Sequence, residues 1–150
     1  MEKFGTLFAK IRKEARLNIE EVALSLSVGN AYITRMERNE FMPPTGEDLD
    51  RFLTALGLEE GSNDWIQLIN YAYLDRGEIP PYALKDQDII QRLFNLATRH
   101  YHSDPDELKP SQKRKLNEDL SNGNLPKHLF VDESERQEVL GILGLTTNKA

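Results

Sequence analysis

A chain of 150 residues, 39% hydrophobic and 29% charged, has ordinary globular composition, which excludes a disordered or membrane-embedded protein. It has no cysteine, so disulfides, thiolate catalysis and cysteine-ligated zinc are excluded, and its three histidines leave little room for a metal enzyme. The net charge of −6 is uneven: residues 1–42 carry +1 and residues 43–150 carry −7, so only the first part suits an anionic ligand.

Phe4, Leu7, Phe8, Ile11 and Ala15 recur at helical spacing and put one apolar stripe on a first helix. Asn18 reads as an N-cap, with Glu21 at the third helical position completing a capping box, and opens a short second helix with Val22, Ala23 and Leu26 inward. Ser27 and Val28 form a brief connection. A third helix is predicted from about Gly29 to Arg38, with Ile33 and Met36 inward, ended by Asn39 in a left-handed cap and by Pro43-Pro44.

Thr45, followed by Glu47 and Asp48, starts a fourth helix with Leu49, Phe52, Leu53 and Leu56 inward, stopped at Gly57. Ser62-Asn63-Asp64 opens a fifth, carrying Trp65, Leu68, Ile69 and Ala72 and stopped at Gly77; Pro80-Pro81 then reads as a linker or sharp turn. Helical segments follow at about 86–101, 111–120 and 133–143, with a loop by composition at 121–126. No run of alternating β-branched residues occurs, so the predicted fold is all-α. It divides into residues 1–78 and a helical region, 79–150.

The second and third helices are separated by so few residues that the third cannot fold back antiparallel. The pair must cross steeply, which is the geometry of a helix-turn-helix, and Ala23 is small where the helices cross. The stretch Leu17 to Asn39, with Leu49 to Gly57 reading LDRFLTALG as a fourth helix, resembles the Xre/Cro/phage-repressor type of helix-turn-helix regulator. That family's five-helix domain would cover roughly residues 4–76.

The resemblance implies roles residue by residue. Base reading falls to Asn30, Ala31, Tyr32, Thr34 and Arg35, whose chemistry suits adenine (Asn30), guanine (Arg35) and thymine methyls (Ala31, Thr34). Phosphate contacts fall to Asn18 and Ile19 at the start of the second helix and to Arg38 and Asn39 after the third. Arg12 and Glu37 match a structural salt bridge that orients the third helix. Two positions depart from the pattern: Ile19 stands where the family commonly has glutamine, and Ser27 where it usually has a glycine with positive φ, a strain of something like 1 kcal/mol.

Other features favour structural readings. His100 and His102, near Asp104 and Asp106, are two apart and point to different faces of a helix, so no metal is expected. Lys113-Arg114-Lys115 reads as a solvated face. Tyr71 and Tyr73 are not expected to share one core, which would leave one at an interface. The segment 86–101 is apolar around much of its circumference, which suggests that the acidic second half forms a homodimer interface.

No phosphate loop or nucleophile motif appears, and neither enzymatic activity nor a cofactor is expected. No apolar run approaches the roughly 20 residues of a membrane span, and the start MEKFGTLFAKIRKEA lacks a signal-peptide core, so a cytoplasmic location is expected. The expectation is a sequence-specific transcriptional regulator, a repressor, that binds a palindromic site in double-stranded DNA as a homodimer. The alternative is an antitoxin-like or adaptor protein whose acidic C-terminal half binds a protein partner.

Overall fold

The computed structural model describes residues 1–99 and 108–144, which form ten helices and no strand beyond one isolated bridge, in agreement with the all-α reading. The chain divides into two compact units, Met1–Arg76 and Gly77–Ala150.

The first unit holds α1 (Phe4–Glu14), α2 (Ile19–Leu26), α3 (Asn30–Glu37), α4 (Gly46–Ala55) and α5 (Asn63–Asp75). Its core is the sum of the apolar stripes: Phe4, Leu7, Phe8 and Ile11 meet Val22, Ala23, Leu26, Ile33, Met36, Leu49, Phe52 and Leu53, all buried. The rings of Phe4 and Phe8 lie 5.7 Å apart, and those of Phe8 and Phe52 6.1 Å apart. Ala15 departs from its stripe. It caps α1 and is exposed, because Arg16 turns left-handed (φ 61°) and the Leu17 N–H closes back on the Arg12 carbonyl at 3.1 Å.

Both Tyr71 and Tyr73 are buried, at 9% exposure each, so neither is left over for an interface within this unit. Their hydroxyls find polar partners in different places. Tyr71 donates to Glu2 at 3.1 Å, and Tyr73 accepts from the Gly46 N–H at 3.2 Å. Ring faces and polar tips are thereby satisfied on two sides of α5, which is buried continuously from Asn70 to Leu74.

The second unit holds α6 (Pro81–Leu84), α7 (Gln87–Thr98), α8 (Pro110–Ser121), α9 (His128–Val131) and α10 (Glu133–Gly144). The single turns α6 and α9 escape sequence periodicity because four residues cannot display it. Pro80-Pro81 is thus a helix start, with Pro81 in the first turn. The predicted loop 121–126 pairs with the residues after Gly77: the Ile79 N–H donates to the Gly123 carbonyl at 2.8 Å and the Leu125 N–H to that of Gly77 at 2.9 Å.

Along α7, Ile89, Leu93, Leu96 and Ala97 are buried, whereas Asp88, Gln91, Arg92 and Asn95 are exposed. Its outer face is polar and only Ile90 and Phe94 are half-buried, so α7 is less apolar around its circumference than expected. Tyr101 and the group His100, His102, Asp104 and Asp106 lie outside the described residues. No helix among the described residues is long and apolar enough to cross a membrane.

Candidate nucleic-acid interface

The interface is built on the α2–turn–α3 unit. Asn18 Oδ1 accepts from the Glu21 N–H at 2.8 Å, and the Asn18 N–H donates to Glu21 Oε1 at 3.1 Å, so the capping box closes at the start of α2. Ser27 ends the helix in the left-handed region (φ 56°, ψ 43°), and the Val28 N–H reaches back to the Ala23 carbonyl at 3.0 Å. Three residues later α3 begins. Ala23, 1% exposed, lies between the two helices with Ile33 and Met36 fully buried beneath α3.

Arg12 holds this frame to α1. Its Nε and Nη2 donate to Glu37 Oε2 and Oε1 at 2.7 and 3.0 Å, and Nη1 donates to the Leu17 carbonyl at 2.8 Å. One side chain therefore joins α1, the entry to α2 and the last residue of α3. The Glu37 carboxylate raises the Arg12 pKa further, opposed by partial burial, so the cation is permanent and internally matched.

The N-terminus of α1 closes the other side of the frame. The N–H groups of Phe4 and Gly5 donate to Asp75 at 2.7 Å and to Asn39 Oδ1 at 2.8 Å. Gly5 is required by this close approach, since a Cβ there would stand 2.2 Å from the Met36 carbonyl oxygen. No helix signal in the sequence marks Gly5; only the packing reveals it.

Of the residues assigned to base reading, Asn30, Ala31, Tyr32 and Arg35 are exposed along the outer edge of α3, and Thr34 is half-buried. The Thr34 hydroxyl donates to the Asn30 carbonyl at 3.1 Å. Tyr32 stacks on Phe41 with ring centroids 5.3 Å apart and planes at 25°, and it meets the core ring of Phe52 edge-on at 6.3 Å. Arg35 lays its guanidinium 4.7 Å from the Phe41 centroid and places Nε 3.4 Å from Glu40. Phe41 and Glu40, in the segment after α3, were not singled out by the sequence because they fall where it reads only as a loop.

The residues assigned to phosphate are unequally placed. Arg38 is exposed at the end of α3, with its N–H turned back on α3 carbonyls. Asn39 takes the left-handed cap expected of it (φ 62°), and its N–H donates to the Met36 carbonyl at 3.0 Å. Its side chain bonds Gly5 and Thr6 and is thus engaged within the domain. Ile19 is half-buried in the first turn of α2 and contributes only backbone N–H groups, and Glu20 and Glu21 in the same turn are exposed. Those carboxylates already complement the positive end of α2 and repel a second anion.

Among the described residues no group of three histidine or acidic side chains is placed to hold a metal ion. No curated protein and no solved structure matches the chain. The helix-turn-helix family model matches residues 8–61, from within α1 to just beyond α4. Residues 8–61 of this chain thus match a helix-turn-helix domain of the Xre/Cro type, the DNA-binding fold of a family of transcription regulators.

Proposed function

We infer that the chain is a sequence-specific transcriptional repressor that occupies a palindromic operator as a homodimer, with α3 seated in the major groove. The observation that carries this reading is the outer edge of α3, which exposes Asn30, Ala31, Tyr32 and Arg35 on a frame locked by Arg12 and Glu37. Asn30 suits a bidentate pair with adenine and Arg35 with guanine, and the methyl groups of Ala31 and Thr34 suit thymine. Arg38 and the first backbone N–H groups of α2, beside Asn18, are the phosphate donors of this reading. Few cations and two carboxylates at the start of α2 give each copy a weak hold on phosphate, so two copies on one duplex are needed.

Selection of bound duplexes from a random pool tests the reading. An enriched inverted repeat with half-sites about 34 Å apart is the expected result. Arg35→Ala should then cost about 1–3 kcal/mol in binding and relax preference at one base pair. Absence of an enriched sequence, or an unchanged preference after Arg35→Ala, defeats the reading. Sedimentation of a pure monomer at tens of micromolar, with undiminished operator binding, defeats the dimer.

One observation favours a second reading, in which the domain serves an antitoxin-like or adaptor protein. Ile19 offers no side-chain donor and Glu20 and Glu21 are exposed beside it, a helix start that suits phosphate poorly, and the partner would then be held by the acidic C-terminal half. Retention on duplex DNA at low salt, lost steeply as salt rises, supports the repressor; absence of retention supports the adaptor.

A further inference from the structure

The segment that follows α3 carries a device the helix-turn-helix pattern does not require. Arg35 has four rotatable side-chain bonds and stands 55% exposed, so a bare arginine here would sample many directions. It is held on two sides. The Phe41 ring lies 4.7 Å beneath the guanidinium carbon, and the Glu40 carboxylate takes Nε at 3.4 Å. Engagement of Nε leaves the two terminal nitrogens as a fork, the arrangement that matches O6 and N7 of guanine.

Phe41 is itself fixed. Its ring stacks on Tyr32 at 5.3 Å, Tyr32 meets Phe52 at 6.3 Å, and Phe52 is 7% exposed in the core beside Phe8 at 6.1 Å. A continuous file of rings therefore runs from the core of α1 and α4 to the tip of one reader on α3. A leucine at position 41 would fill space but offer no π-face to the cation.

We propose that Phe41 is a positioning residue for sequence recognition, one that presets the Arg35 fork for guanine through its ring face, with Glu40 fixing the guanidinium's rotation. The proposal rests on the DNA-binding reading above. Phe41 makes recognition cheaper by ordering Arg35 before DNA arrives, so its effect belongs to one base pair and not to affinity in general.

The test uses the full chain and the duplex that it enriches from a random pool, together with duplexes substituted at one base pair at a time and an unrelated duplex, with binding followed by fluorescence anisotropy. Arg35→Ala should erase discrimination at one guanine, a change of roughly five- to a hundredfold. Phe41→Leu should lower discrimination at that same guanine about two- to fivefold, leave the unrelated duplex unchanged, and add nothing further in an Arg35→Ala background. Phe41→Tyr, which keeps the ring face, should restore it. Equal loss on every duplex, or full discrimination in folded Phe41→Leu, overturns the positioning role while the DNA reading stands. If the unaltered chain enriches no duplex, both fall together.

Discussion

Arg12 donates through three nitrogens to Glu37 and Leu17, so Arg12→Ala leaves a carboxylate that is only 10% exposed without its counter-charge. Loss of one partner of a buried pair costs about 3–5 kcal/mol, at the lower end here because Glu37 retains some water. Urea unfolding of the full chain, followed by the fluorescence of its only tryptophan, Trp65, should show this loss, and Arg12→Met with Glu37→Leu should recover much of it. Gly5→Ala should cost about 1–3 kcal/mol in the same assay, since the added methyl meets rigid backbone at Met36. These residues differ in how they can be read. The partnership of Arg12 and Glu37 is visible only through family resemblance, because 25 positions separate them. Gly5, Glu40 and Phe41 carry no local signature, and their roles come from what the fold brings beside them.

Among the elements, α2 and its turn follow directly from their residues. The cap at Asn18, the small Ala23 and the stop at Ser27 are each a local rule with a local cause, and five helices of the first unit begin and end within a few residues of where spacing and caps place them. Within α2 and its turn Ser27 bears a conflict, a side chain in the left-handed region with φ 56°, as Arg16 and Asn39 do elsewhere in the first unit. Ser27→Gly should therefore raise stability by about 0.5–1 kcal/mol, read as a higher Tm. Asn18→Ala should lower it by about 1 kcal/mol by opening the capping box. The burial of both tyrosines of α5 is not legible in this way, because their spacing along a helix predicts opposite faces but not that both faces are covered. The turns α6 and α9 are shorter than one period of the pattern that would reveal them.

For the molecule as a whole, charge governs behaviour toward acid and salt. In the second unit Arg99 grips Glu138 through two nitrogens at 2.7 and 2.6 Å and Glu135 at 3.3 Å. The hydrogen bond from Arg99 holds the Glu138 carboxyl below its ordinary value of 4.5. A lowered folded-state pKa means that the pair stabilises the fold fully above the ordinary glutamate value and loses that effect as acid protonates Glu138. The stability gap between parent and Glu138→Gln should be open at neutral pH and close as pH falls below 4.5, a comparison made by thermal unfolding across pH. The pair is solvent-exposed, so added salt should narrow the same gap.

The two carboxylates at the start of α2 bear on how such a protein would travel over a genome. A gene regulator rich in lysine lingers on random sequence and scans by gliding along it. In the DNA-bound arrangement proposed above, Glu20 and Glu21, exposed at the start of α2, would face the sugar–phosphate rail. Each chance landing should then be brief, and the target be reached by many short hops through solution. Dwell times on non-cognate duplex, measured molecule by molecule, should lengthen in Glu20→Gln at fixed ionic strength.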